Sequence, residues 1–158
     1  DKLLLTCASR LLLWAVITLV VTTKLSWAGD SKNPPTKFYA QDIKSAMRRH
    51  LEQVTDTDGL FHITDNVTEQ ALTLKFVQIH DPVRQIGTDI YFACTDFHVD
   101  GKSDKLYDID FWLHEENGEL VVYQTKIHKE PRRSLLYGWY KHPRYTFVND
   151  EIEYLYSD

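Results

Sequence analysis

The chain is short of the residues that punctuate loops and staple small domains. Its 158 residues hold six Gly, five Pro, two Cys and one Met. So few Gly and Pro exclude a linker-rich or disordered chain, and two cysteines cannot build a disulfide framework. Basic residues are also scarce: 18 Lys and Arg face 23 Asp and Glu, a formal charge of −5. A general nucleic-acid binder carries the opposite excess, so nucleic acid is not an expected partner. The text has no glycine-rich phosphate loop, no Gly-x-Ser-x-Gly and no Cys-x-x-Cys-His. Those absences remove the readiest signs of a nucleotide enzyme, a serine hydrolase and a haem protein. What the chain does have is apolar and aromatic surface, 43% and 13% of its residues, enough for one compact domain with a sizeable core.

Its longest apolar run lies near the N-terminus. Lys2 and Arg10 precede Leu11–Val21, LLLWAVITLVV, and Ser26-Trp27-Ala28 follows, with small residues at the two positions a signal peptidase reads. A charged start, an apolar core of roughly 7–15 residues and an A-x-A-like site are the parts of a secretory signal. The run is shorter than the roughly 20 residues that cross a bilayer comfortably. We therefore read residues 1–28 as a cleaved signal, with an uncleaved anchor over Leu3–Ala28 as the alternative if Arg10 snorkels to the interface. Cys7 precedes the apolar core and makes no lipoprotein site. The expected location is periplasmic or extracellular, and membrane-anchored if the segment is retained. Removing 1–28 drops three basic residues (Lys2, Arg10, Lys24) and one acid (Asp1), which takes the formal charge from −5 to −7. It also leaves Cys94 as the only cysteine, in an apolar strand where it reads as a small buried residue without a disulfide partner.

Residues 29–36 are a polar spacer with turn residues. From Lys37 to Val54 the pattern is helical: Ala40, Ile43, Met47, Leu51 and Val54 recur at steps of three and four, with Thr36 placed to act as N-cap. After Thr55–Gly59 the period becomes two. Strands are expected over Leu60–Thr64, about Gln70–His80 and Asp89–Val99, with loops at Asp81–Thr88 and Asp100–Asp104. Asn66-Val67-Thr68 matches a glycosylation sequon, which matters only in a eukaryotic secretory pathway; an ordinary turn is the simpler reading.

Leu106–Lys129, LYDIDFWLHEENGELVVYQTKIHK, reads as a β-hairpin. A three-residue loop at Glu116-Asn117-Gly118 sets Leu113 opposite Val121, Phe111 opposite Tyr123, Ile109 opposite Thr125 and Tyr107 opposite Ile127, a continuous inner face. It pairs Trp112 with Val122, Asp110 with Gln124 and Asp108 with Lys126 on the other face. A two-residue Asn-Gly loop would mix the faces, so the longer loop is preferred. Together these elements predict an α+β domain over 37–130, one helix on a curved antiparallel sheet of about five strands, one face buried and the other partly free. Residues 131–158 show no clean period and read as an aromatic, charged extension, packed on the sheet or free as an arm.

This element order, helix then antiparallel strands over about Lys37–Lys129, resembles the cystatin-like superfamily and the cone-shaped nuclear-transport-factor-like folds. The hairpin YDIDFWLHEENGELVVYQTKIHK resembles the final strands of small exported bacterial domains of that kind. The inhibitory cystatins' Gln-x-Val-x-Gly is absent; the nearest text, Gln124-Thr125-Lys126-Ile127-His128, lacks both Val and Gly. The resemblance implies a fold and no protease inhibition.

Chemistry has few candidates. His50, His62, His80, His98, His114, His128 and His142 fall on separate elements with no His-x-His or His-x-x-x-His pair, and no metal or cofactor is expected. Asp108 and Asp110 share a strand face about 7 Å apart, a spacing that can hold a divalent ion or share acid–base work. With Lys126 expected opposite, a solvated polar face is the preferred reading. A hidden enzyme would be sought first at Asp108, Asp110, His114 and His128. Charge is uneven: nine acids and two lysines lie in Asp89–Glu119, whereas Lys126–Arg144 has six Lys or Arg and only Glu130. Arg, Trp and Tyr are enriched in binding hot spots and suit a membrane interface. Arg132, Arg133, Tyr137, Trp139, Tyr140 and Arg144 are therefore the expected partner-binding residues. The chain reads as a non-enzymatic interaction module, exported or membrane-anchored, that contacts a protein or a membrane surface, with a role as accessory subunit of an envelope complex in view. The alternative is a carrier holding a small apolar ligand or lipid between helix and sheet. If 1–28 is a cleaved signal, N-terminal sequencing of the native protein begins at Gly29; an intact Lys2–Ala28 in a membrane fraction would show an anchor instead.

Overall fold

A computed structural model of the chain describes residues 37–155. The expected signal or anchor, the spacer and Thr36 lie outside them. Helix α1 (Ala40–Val54) buries Ile43, Ala46, Met47 and Leu51, one apolar stripe at helical spacing. Its N-cap is Tyr39, whose backbone N–H donates to the Asp42 carboxylate at 2.8 Å, half of a capping box with an acid well placed for the helix dipole. At the other end Thr55 turns extended and donates both its N–H and its hydroxyl to the Leu51 carbonyl. The Asp56 carboxylate then accepts from the Asp58 and Leu60 N–H groups and starts the first strand. Among the described residues no helix is long and apolar enough to cross a membrane.

Nine strands follow: β1 (Leu60–Thr64), β2 (Ala71–Ile79), β3 (Arg84–Ile86), β4 (Ile90–Val99), β5 (Lys102–Glu116), β6 (Glu119–Ser134), β7 (Gly138–Pro143), β8 (Tyr145–Val148) and β9 (Glu151–Tyr154). The first seven make one antiparallel sheet in the order β1-β2-β4-β5-β6-β7, with short β3 also on β4; β8 and β9 pair only with each other. The sheet is strongly curled, a half-barrel around α1. Its curl brings the turn after β1 to the end of β7, where Arg144 meets Asp65. The inner face of β4 and β5 presents Tyr91, Ala93, Phe97, Tyr107, Ile109, Phe111 and Leu113 to the helix, as the period-two reading requires.

The α+β expectation holds, but the sheet is larger than about five strands. Residues 131–155, expected as an extension without a clean period, form strands, and none of them is a free arm. Strand β6 continues through Pro131 to Ser134, and β7 extends the sheet. Hairpin β8–β9 then packs Tyr145, Phe147 and Ile152 against Phe92 and Trp112, on the face opposite the helix. A face expected to be partly free is roofed by a second, smaller core.

The β5–β6 loop also differs from expectation. Glu116 pairs with Glu119, leaving the two-residue turn Asn117-Gly118 with φ of 53° and 85°. Two successive positive φ values are what a type I′ turn demands, and Asn-Gly adopts them most cheaply. The objection to this turn, that it mixes the faces, applies to an unbroken ladder. The ladder is broken twice. Leu113 pairs with Val122 but Trp112 with Gln124, so Tyr123 is a bulge; Ile109 pairs with Ile127 but Asp108 with Lys129, so His128 is another. The two-residue turn itself points Tyr123 outward; the extra residue there reverses the alternation and restores Ile127 to the core, and the one at His128 reverses it again. Phe111→Ala should therefore cost about 3–5 kcal/mol as a core truncation. Tyr123→Ala, at an exposed position, should cost under about 1 kcal/mol in the same urea titration. Equal losses would restore the longer loop, in which the two rings face each other.

Candidate functional site

On the outer face of β4 and β5 three cross-strand pairs stack in succession: Phe92 with Trp112, Cys94 with Asp110, and Asp96 with Asp108. The two aromatic residues belong to the small core under β8–β9, and Tyr145 closes over the polar pairs. Asp108 and Asp110 consequently have no solvent exposure, and Asp96 has 5%. The solvated face expected for the Asp-x-Asp is thus corrected. Lys126, the expected partner of Asp108, pairs across the strands with Asp110, and its ammonium donates to the Tyr154 hydroxyl.

Each buried carboxylate has a distinct set of partners. Asp96 accepts from Lys141 at 2.7 Å and from Gln78 at 3.2 Å, with His80 Nε2 at 2.8 Å. Burial pushes its carboxyl up, but these hydrogen bonds outweigh it and hold it below the usual range. Asp108 accepts from the Lys129 ammonium at 2.9 Å and from the Cys94 thiol at 2.6 Å. Asp110 accepts from the Tyr145 hydroxyl at 2.8 Å through Oδ2, while Oδ1 has no donor. His128 Nε2 lies 3.0 Å from the Tyr145 carbonyl oxygen, which can only accept, so Nε2 carries the proton. The ring stacks on Tyr145 at 4.6 Å, and its Nδ1 points between the carboxylates, 3.3 Å from Asp110 and 3.9 Å from Asp108. Burial, then the charges of Asp110 and Asp108, push the Cys94 thiol far up; the same burial and Asp110 push up the Tyr145 hydroxyl. Cys94 is thus a protonated donor on the outer face rather than a poised nucleophile.

Of the four residues singled out for hidden chemistry, the fold gathers Asp108, Asp110 and His128 and leaves out His114, which lies exposed beside Tyr123. It adds Cys94, Lys129 and Tyr145, which sequence reasoning missed. The register that pairs Cys94 with Asp110 was not readable from either strand alone.

The second candidate region is the β6–β7 hairpin. Arg132 pairs with Tyr140 and Arg133 with Trp139, and the turn presents Leu135, Leu136 and Tyr137, exposed by 104%, 82% and 82%. The two leucines were passed over in favour of rings and cations; adjacent large apolar residues between strand ends are the signal that could have found them. Trp139 is half-buried with the Lys105 ammonium 4.1 Å from its ring centre, and Tyr140 is exposed. Arg132 donates to Glu130 at 2.7 Å. Arg144 lies apart from this group. Its guanidinium, 11% exposed, grips both oxygens of Asp65 at 2.8 and 2.6 Å and also donates to Glu130. Arg144 is a structural clasp, not a free docking cation.

A cleft of about 770 Å³ opens between the β1–β2 turn and β6, lined by Ile63, Val67, Ile127, Arg144, Tyr145 and Tyr154 among others. It does not lie between helix and sheet. There Met47, Leu74, Phe97, Ile109 and Phe111 each have zero exposure, so no water-sized void touches them. Comparison with known protein families, with curated proteins and with solved structures gave no match.

The Asp65–Arg144 clasp has a testable pH signature. Burial raises the Asp65 carboxyl, but hydrogen bonds from Arg144, the Val67 N–H and the Thr68 side chain more than offset this and hold it well below the usual range. A carboxyl depressed on folding adds stability above its unfolded value of about 3.9 and loses it as pH falls through the lower folded value. Asp65→Asn should cost about 2 kcal/mol at neutral pH, since it removes a two-toothed, charge-assisted grip while Glu130 still holds the guanidinium. The difference from wild type should stay constant down to about pH 5 and shrink below about pH 4. Urea titrations across pH 2–7 read it directly, and a difference that shrinks on the alkaline side would exclude the clasp.

Proposed function

We propose that this protein is a non-enzymatic interaction module, exported or membrane-anchored, that docks on an anionic membrane surface through the tip of its β6–β7 hairpin. The carrying observation is the run Leu135-Leu136-Tyr137, three consecutive large apolar side chains exposed by 82% or more. A folded chain holds such a run in water only at a cost, and a turn between strands is where it can enter a bilayer without unpairing backbone. Behind the tip stand Arg133, with no ion pair among the described residues, and Trp139 and Tyr140, rings that favour the headgroup level. The rest of the domain is acidic, so the field of an anionic surface turns the basic hairpin end toward the lipid. The closely packed centre of the helix–sheet interface, with a pocket of about 320 Å³ at its polar edge beside Asp42, Arg49 and Glu119, supports this reading over a carrier of an apolar ligand at that place. The apolar run Leu11–Val21 suits the same setting, as export signal or anchor.

Burying each leucine contributes about 1.5–3 kcal/mol, and a basic residue near an anionic surface about 1 kcal/mol. Leu135→Ser/Leu136→Ser should therefore weaken adsorption by about 100-fold or more. Its urea midpoint should change by little, as surface substitutions shift stability within about 0.5 kcal/mol. Co-sedimentation with vesicles of zwitterionic lipid, with and without an anionic lipid, measures this. Binding to the anionic vesicles that the double variant loses supports the proposal. Absent binding, or binding the variant retains, retires the membrane reading.

A further inference from the structure

We propose that Cys94, Asp108, Asp110 and His128 form a binding site for one divalent transition-metal ion of the zinc type, between the outer face of the sheet and the β8–β9 hairpin. Ligand atoms of these four side chains all lie within 4.8 Å of one another. A thiol, an imidazole and carboxylates are the donor set that zinc takes, with bonds of about 2.0–2.3 Å, whereas magnesium and calcium take oxygen alone.

Three further observations point to a ligand rather than to a closed polar cluster. First, Asp110 has no exposure, and its Oδ1 has no hydrogen-bond donor. Such an orphan on a fully buried carboxylate is costly, and a bound cation removes the cost. Second, the proton on His128 is held at Nε2 by the Tyr145 carbonyl, which leaves the Nδ1 lone pair facing the two carboxylates. Donating one ring N–H to a backbone carbonyl while the other nitrogen faces anions is how metal-ligating histidines are oriented. The Tyr145 ring stacked on the imidazole fixes its plane, and the bulge places His128 outside the regular ladder. Third, the charges do not balance. Lys141 matches Asp96 and Lys129 matches Asp108, but Asp110 has only the Tyr145 hydroxyl and His128. When the ion binds, the Cys94 proton leaves to solvent. The three anionic ligands then face the two charges of the ion and the one of Lys129, and the site becomes neutral. The neighbouring group His80, Asp96 and Asp108 is a weaker candidate, because Lys141 and Gln78 already occupy both oxygens of Asp96.

The test is titration of the chelator-treated, purified full chain with Co²⁺, followed by displacement with Zn²⁺. The expected result is a one-to-one complex with a sulfur-to-cobalt charge-transfer band in the near ultraviolet, abolished by Zn²⁺. The band should be absent from Cys94→Ser, and Zn²⁺ should raise the thermal midpoint of wild type but not of His128→Gln. Near-ultraviolet circular dichroism of each metal-free variant checks its fold. A band that persists in Cys7→Ser assigns the thiolate to Cys94 even if another variant fails to fold, because these are the two cysteines of the chain and only a thiolate ligand produces the band. No cobalt uptake by folded wild-type protein, or uptake without the thiolate band, would overturn the site. So would a band that survives in Cys94→Ser.

Discussion

Strand β5 must be covered on both faces, and most of the structure follows from that constraint. Its inner side chains, Tyr107, Ile109, Phe111 and Leu113, need an apolar partner, which the amphipathic α1 supplies. Its outer side chains begin apolar at Trp112 and turn acidic at Asp110 and Asp108, so a purely apolar cover would strand two carboxylates. Hairpin β8–β9 meets both needs. Phe147 packs over Phe92 and Trp112, and the Tyr145 hydroxyl reaches Asp110. Arg84 lies 5.5 Å from the ring centres of Phe92 and Phe147 and adds a cation over the aromatic part of the roof.

The buried acids also constrain the neighbouring strands. Lys129 can reach Asp108 only with β6 in its bulged register, and Lys141 reaches Asp96 only with β7 continuing the sheet. Buried ion pairs add little net stability compared with well-packed apolar groups, but breaking one is costly. They act here against slippage. An alternative register of β6 or β7 would leave a carboxylate with no cation in a dry environment. Arg144, Asp65 and Glu130 do the same for the curl, tying the first turn of the sheet to its last strands. A curled sheet with free edges has many neighbouring curvatures, and a two-toothed guanidinium grip selects one of them.

Strand β6 links the two proposed sites. Its middle carries His128 and Lys129 under the roof, and its end carries Arg132 and Arg133 toward the exposed Leu135-Leu136-Tyr137 turn. One strand thus passes from a dry interior of buried carboxylates to a solvent-facing apolar tip. A metal in the roofed site would stiffen the middle of that strand, whereas docking calls on its end, so the two proposals stand or fall separately.

Much of the fold was legible because it depends on local repetition. The 3.6-residue spacing of Ile43, Met47 and Leu51 marks the helix, and the alternation around Phe111 marks the inner face of the hairpin. Composition also pointed to the 132–144 segment, although only the tertiary structure showed that Arg144 is a clasp and that two leucines form the tip. Register was not legible, because a bulge shifts every pairing beyond it and leaves little trace in the residues it displaces. The hairpin near the C-terminus was overlooked although Asn149-Asp150 takes the positive φ angles of a tight turn; its two strands have only four residues each. From its own sequence Asp-x-Asp determines that two carboxylates share a face. Whether that face meets water or a roof is decided by residues more than thirty positions away, since burial belongs to the pair of surfaces that come together and not to either strand alone.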